Sequence, residues 1–330
     1  MIKTLLCGGL AGITAKTIIA PFDRVKIHFQ VENPALLEYS GRLTGVFKAL
    51  DSIWKSSGII GIYRGHSAML LRIFPYAAIN FLSYEYLKDL LYLGKIRPEE
   101  VAWWRRLLAG SLSGAIAVAA TYPLDIIRAR LAFDLSPKVF PRSDKISFKS
   151  ISSSYCQSVR RVLASLSREG RQIAGISFAG YYQGFCATLA GIIPYAGVSY
   201  FSFETMKSLY RRNHHSTTRE SDFKSIEPIP VAVKLPMGML SGALAQTAAY
   251  PLDIIRRRTQ LLSVAPHLHS VHFKDEQNIK KMLLTLIKTR GLRSLFVGLS
   301  INYLKVAPAT GISFVVYEYL RERVFHLDIR

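Results

Sequence analysis

The chain has 330 residues, half of them hydrophobic and 20% charged, with a net charge of +21. That apolar and aromatic content excludes a disordered chain, and three cysteines without a CxxC pair (Cys7, Cys156, Cys186) exclude a disulfide scaffold. A mean hydropathy of +0.20 is high for so charged a chain, which leaves a basic nucleic-acid binder or a membrane protein whose polar groups line an aqueous path.

The N-terminal stretch Met1 to Leu10 holds one lysine and runs straight into a Gly-rich apolar segment, without a small-residue cleavage site. The chain shows no unbroken apolar run of about 20 residues. Membrane spans are therefore expected to be amphipathic and gathered round a polar interior.

Six segments repeat in chain order. Gly8 to Gln30 reads GGLAGITAKTIIAPFDRVKIHFQ, and Ile73 to Lys88 reads IFPYAAINFLSYEYLK. Gly110 to Ala132 (GSLSGAIAVAATYPLDIIRARLA) and Ile192 to Lys207 (IIPYAGVSYFSFETMK) repeat the pair. Gly238 to Gln260 (GMLSGALAQTAAYPLDIIRRRTQ) and Val306 to Arg321 (VAPATGISFVVYEYLR) repeat it again. In the odd segments, an aspartate follows the proline by two residues (Asp23, Asp125, Asp253) and a base follows three later (Lys26, Arg128, Arg256). In the even segments, a glutamate stands ten residues after a proline (Glu85, Glu204, Glu318), with a base three later (Lys88, Lys207, Arg321). Such register defines a triplicated unit: residues 1–94, 103–212 and 231–326.

Each unit is expected to contribute two helices kinked at proline, with small residues four apart where neighbours approach closely. The two prolines of a unit are 54, 71 and 57 residues apart, so the middle unit carries about 17 extra residues. Ser-rich Lys145 to Tyr155 and glycine-interrupted Gly170 to Gly180 read as loop. Asn213 to Pro230 reads as the longest loop on the opposite side.

Charges within spans are expensive and usually face a cavity or each other. An intrahelical salt bridge is the plainer reading of an acid and base three apart, worth only a few tenths of a kcal/mol. The threefold repeat favours pairing between units instead. On one side Asp23 would meet Arg128, Asp125 would meet Arg256, and Asp253 would meet Lys26. On the other, Glu85 would meet Lys207, Glu204 would meet Arg321, and Glu318 would meet Lys88. Two closable rings of ion pairs form two gates, as alternating access round a central site requires.

With these motifs the sequence resembles the mitochondrial carrier family over essentially its whole length. The odd-helix pattern Pro-x-acid-x-x-base-x-base appears as PFDRVKIH, PLDIIRAR and PLDIIRRR; the even-helix pattern appears as YEYLK, FETMK and YEYLR. The resemblance implies an all-α membrane protein: a three-fold pseudosymmetric bundle of six transmembrane helices with three short matrix helices. It implies a monomeric, multi-pass transporter of the mitochondrial inner membrane with both termini facing the intermembrane space. It implies no enzyme, no cofactor and no metal.

The sequence departs from the family pattern in places. His28 replaces the last base of the first motif. Gln30 and Gln260 match the glutamine that braces the matrix gate in relatives, but Ala132 stands in the middle unit. Phe203 lacks the hydroxyl that Tyr84 and Tyr317 bring to the cytoplasmic gate. The matrix-helix motif reads SGIIGIYRG, is stretched between Glu169 and Tyr182-Gln183-Gly184, and reads RGLRSLFVG in the last unit. By the resemblance, Gly65, Gly184 and Gly298 are candidates for holding cardiolipin phosphates at helix starts.

Thirteen residues before the even-helix glutamates lie Arg72, Gly191 and Lys305, a level that holds substrate contacts in relatives. Gly191-Ile192 resembles the adenine-contacting pair of nucleotide-type carriers. Lys16 stands where the ADP/ATP carrier has a cavity lysine. Arg72, Lys305 and Lys16 read as three buried cations whose natural occupant is a phosphate-rich anion; snorkelling to an interface is the alternative for Lys16. Tyr76 and Tyr195 stand ready to stack on or bond a base, or else pack between helices. The stretches AKTIIAPFDRVKIHFQV, GHSAMLLRIFPYAAINF, TYPLDIIRARLAF and IPYAGVSYFSFETMKSL are similar to the coenzyme A carrier branch. This implies coenzyme A, or a relative such as adenosine 3′,5′-bisphosphate, as substrate, with ATP-Mg/phosphate or other adenine-nucleotide carriers as the alternative. A nucleic-acid binder would share the basic charge but would not place acids and bases in register beside prolines. His267, His269 and His272 lie together without a cysteine or a repeated partner, so they read as a solvated loop rather than a metal site.

Overall fold

The computed structural model describes residues 2–40, 43–92, 101–134, 148–215, 230–265 and 279–324. Nine α-helices run through them: α1 (Ile2–Gln30), α2 (Leu43–Ile62), α3 (His66–Tyr92), α4 (Trp103–Phe133), α5 (Phe148–Ala174), α6 (Phe185–His215), α7 (Val231–Leu261), α8 (Ile279–Arg290) and α9 (Leu299–Tyr319). The described residues contain no strand. Short 3₁₀ turns lead into α6 and α9, and a π turn (Leu320–Val324) continues α9.

Helix α3 packs on α4, α6 on α7, and α9 returns to α1, so three two-helix units close into one ring. The large apolar side chains on its outside are left bare: Ile193 is 74% exposed, Phe201 73% and Leu82 67%. Side chains of that kind facing outward round a polar interior suit a bilayer as solvent. Although no unbroken apolar run marks a span, Trp104–Phe133, Ser177–Arg212 and Leu292–Arg323 are long and apolar enough to cross a membrane.

The C-terminal ends of α1, α4 and α7 converge on one buried apolar cluster: Ile27, Val31, Ala129, Ala132, Leu261 and Ala265. Helices α2 and α8 pack outside it. Val46, Ala49 and Ile53 of α2 join Val25 and Phe29 of α1 and Ile301 of α9. Met282 and Leu286 of α8 join Tyr250, Ile254 and Ile255 of α7. The prolines Pro21, Pro75, Pro123, Pro194, Pro251 and Pro308 all lie inside continuous helices.

Two loop readings need correction. Residues 148–155 and 170–174, expected as loop, belong to α5, which runs to Ala174. Serine by itself does not stop a helix, and the turn comes only at Gly175, where φ is 70°. The middle accessory helix is therefore long, at 27 residues, where a short one was expected. On the other side, 213–215 continue α6; the rest of that expected loop, to 229, lies outside the described residues, as do 145–147 and His267, His269 and His272.

Gly65, Gly184 and Gly298 directly precede α3, α6 and α9 and hold φ values of 78°, 77° and 82°. Each abuts the odd helix of the next unit. A Cβ on Gly65 would lie 2.8 Å from the Arg128 carbonyl oxygen, and one on Gly184 3.1 Å from that of Arg256. Both left-handed backbone and close approach demand glycine here. Gly65→Ala should destabilise the bundle by about 1–3 kcal/mol, read as a lowered thermal-unfolding midpoint in detergent. An unchanged midpoint would show that the unit boundary can yield.

Candidate functional site

At the end where α1, α4 and α7 finish, the aspartates two residues after each proline turn inward. Asp125 is 1% exposed and Asp23 7%. Arg128 Nη2 donates to Asp23 Oδ2 at 2.9 Å, and Arg256 Nη2 to Asp125 Oδ2 at 2.5 Å. Two expected inter-unit pairs are thus made. The third is not: Asp253 accepts from Gln246 Nε2 at 2.8 Å, and the Lys26 ammonium lies 5.4 Å from the Tyr250 ring centre. A nearer, neutral donor on its own helix satisfies the carboxylate instead.

Gln260 Nε2 donates to Asp125 Oδ2 at 3.1 Å and to Tyr122 Oη at 3.0 Å. Gln30 does not reach an aspartate; its Nε2 donates to Tyr250 Oη at 3.4 Å. Ala132 has no side chain to brace with, but its carbonyl accepts from Arg24 Nε at 3.1 Å.

That contact belongs to a second ring that the sequence reading missed. Arg130 Nε donates to the Gln260 carbonyl at 3.2 Å, and Arg258 Nε to that of Gln30 at 3.3 Å. Both stand seven residues after their proline, where the first unit has His28. Arg24, one turn earlier, supplies the missing guanidinium. The signal was present in the last base of the second and third motifs, but the compensating Arg24 is not one of the positions the pattern fixes. Arg130 also holds Glu169 through two oxygens, at 2.7 and 2.5 Å, and Arg258 holds Glu32 at 2.7 Å.

At the opposite end the ring is open. Lys88 Nζ donates to Glu85 at 3.3 Å and Lys207 Nζ to Glu204 at 3.2 Å, each within its own helix. The expected pairs Glu85–Lys207, Glu204–Arg321 and Glu318–Lys88 are absent among the described residues; Glu85 and Glu204 take the base three residues on instead. Tyr84 bonds Tyr92 at 3.2 Å rather than an ion pair, and Tyr317 lines a cavity.

Between the two ends lie a cavity of about 780 Å³ and another of about 670 Å³, both walled by Tyr195, Gly238 and Gln246. Tyr76, Gly191 and Ile192 line the first, and Lys305 the second. Two of the three expected cations already have acids. Arg72 Nη1 donates to Asp125 Oδ1 at 3.1 Å and Nε to Thr121 at 3.2 Å, and its guanidinium lies 5.1 Å from the Tyr76 ring centre. Lys305 Nζ donates to Asp23 Oδ1 at 2.7 Å. Lys16 is exposed rather than buried. Its charged neighbours are Asp23, Lys305, Arg128 and Arg72, which places it in a wet interior rather than at a headgroup. Among the described residues no cluster could hold a metal.

The family model described as mitochondrial carrier protein matches residues 1–95, 99–214 and 227–327. The chain belongs to the mitochondrial carrier family. Mitochondrial carrier protein LEU5 of Saccharomyces cerevisiae is 37% identical, over 97% of this chain and 90% of its own. Human solute carrier family 25 member 16 is 35% identical over 99% and 89%. The human mitochondrial coenzyme A transporter SLC25A42 is 35% identical over 99% and 90%. This carrier is therefore a transporter and not an enzyme, and its family works in the mitochondrial inner membrane.

The Arg130–Glu169 pair is a sensitive joint of the carrier. Burial raises the Glu169 carboxyl, but the hydrogen bonds and charge of Arg130 outweigh it and hold the group below its ordinary 4.5. A depressed carboxyl contributes stability above its unfolded value and loses it as pH falls through the folded one. The midpoint gap between wild type and Glu169→Gln should be full at neutral pH and close below about pH 4.5. Arg130→Ala should cost about 3–5 kcal/mol, seen as thermal destabilisation in detergent.

Proposed function

We propose that this carrier moves coenzyme A, or a close relative such as adenosine 3′,5′-bisphosphate, into the matrix by exchange and alternating access. One observation carries the mechanism: Lys305 on the wall of one cavity and Arg72 beside Tyr76 of the other are bonded to the aspartates of the closed end. A phosphate that draws these two cations away removes one counter-charge from Asp125 and one from Asp23. It loosens the ties of α3 to α4 and of α9 to α1, so ligand binding and gate opening share the same charges.

Taking a gate from 99:1 closed to 99:1 open needs about 5.5 kcal/mol of differential binding. Charge-assisted contacts contribute about 1.5–3 kcal/mol each, but Arg72 and Lys305 exchange an aspartate for a phosphate, so contacts to Lys16 and to the base supply the remainder. For the base, Gly191-Ile192 offers a flat backbone approach, with Tyr76 and Tyr195 on the same cavity wall. The 35% identity to a coenzyme A transporter supports the same substrate class. On this reading the closed end faces the matrix, the termini face the intermembrane space, and the protein works as a monomer. Cardiolipin phosphates would then sit at the starts of α3, α6 and α9, beside Gly65, Gly184 and Gly298.

The test is uptake of labelled coenzyme A into liposomes preloaded with coenzyme A, ADP, ATP, adenosine 3′,5′-bisphosphate or nothing. Saturable uptake poorly competed by ATP is expected. Brisk ATP or ADP exchange without coenzyme A uptake would move the function to a nucleotide carrier. Arg72→Ala should lower uptake by at least about 30-fold, the equivalent of about 2 kcal/mol.

A further inference from the structure

The closed ring has one vacant link, and the residues round it are arranged in a particular way. Gln246 stands seven residues before Asp253 on α7, and its amide donates to that carboxylate at 2.8 Å. It stands five residues before Pro251, where the first unit has Lys16 and the second Val118. It is the only member of this triplet able to donate a neutral hydrogen bond. Asp253 is therefore satisfied without reaching across to α1. Among the described residues Lys26 makes no ion pair, though Asp253 and Asp23 are among its charged neighbours, and its ammonium lies over the face of Tyr250. Lys26, Gln246 and Lys305 line the same 670 Å³ cavity, together with Asn302 and Tyr303. Lys305 is also the foremost charged neighbour of Lys26.

We propose that Gln246 is a stand-in partner for Asp253, which keeps the third gate link unmade and leaves Lys26 in the cavity as a seat for a phosphate group. Of the three motif pairs the gate then closes on two, Arg128–Asp23 and Arg256–Asp125, so substrate has less to undo. Lys26 and Lys305 line the second cavity together with Lys234, and Arg72 stands by Tyr76 of the first. An anion with two separated phosphates bridges them better than one with a single phosphate. This rests on the reading that the cavity takes a phosphorylated anion.

The experiment uses the full chain, purified and reconstituted, as wild type, Gln246→Leu, Lys26→Met and the double variant. Thermal unfolding is measured first without solute. Lys26→Met should barely move the midpoint alone, and should lower it clearly in the Gln246→Leu background, where Asp253 turns to Lys26. Equal effects in both backgrounds would overturn the proposal. Transport is measured next with adenosine 3′,5′-bisphosphate as probe. Lys26→Met should raise KM about tenfold, the scale of one lost charge-assisted contact, with little change in maximal rate. Gln246→Leu should raise KM and lower the maximal rate together. An unchanged KM in Lys26→Met would also overturn it. Should Gln246→Leu not fold, Gln246→Asn, with its shorter amide, replaces it in the same cycle. If wild type takes up neither coenzyme A nor the bisphosphate, the proposed substrate fails while the solute-free coupling still decides the role of Gln246.

Discussion

A carboxylate inside a helical bundle has to find a counter-charge or a donor, because the medium round it cannot solvate its charge. Asp125 shows how far this goes. It is 1% exposed and is held by Arg256, Arg72 and Gln260 from α7, α3 and α7 again. The closed end, the position of the cavity floor and the placing of Arg72 all follow from that need. The same need makes the structure switchable, since an anion that competes for the cations changes the stability of the floor.

The threefold plan is kept where backbone contacts set it and relaxed where side chains can substitute. Each glycine before an even helix keeps its left-handed φ, because a helix of the next unit lies against it. The guanidinium-to-carbonyl ring is also threefold in function, yet one member comes from Arg24 rather than position 28. A long side chain can reach one turn along a helix, whereas a backbone crossing cannot shift. His28 is thereby left fully buried beside Asn33 and Phe133.

The two ends differ in what holds them. The closed end has an apolar cluster, several inter-unit ion pairs and a ring of arginines. Among the described residues, the ion pairs of the open end lie within single helices, half exposed and of the small worth expected there. Opening the first and closing the second are thus unequal tasks, and the inequality is where substrate binding energy has a use.

Much of this was legible in the residues alone. The repeat, the six long helices, the inward aspartates and the cations of the cavity follow from period and from the cost of charge, which act locally and recur three times. The start of α5 did not follow, because a serine-rich stretch reads as loop by composition while serine by itself does not stop a helix. Nor did the identity of the acids that hold Arg72 and Lys305, 53 and 282 residues away along the chain. The choice of Gln246 over Lys26 by Asp253 was also beyond sequence spacing. Motif and periodicity determined which groups must face the interior. Which of them meet was decided only by the closure of the ring, since a buried charge takes whichever partner the packed helices bring within reach.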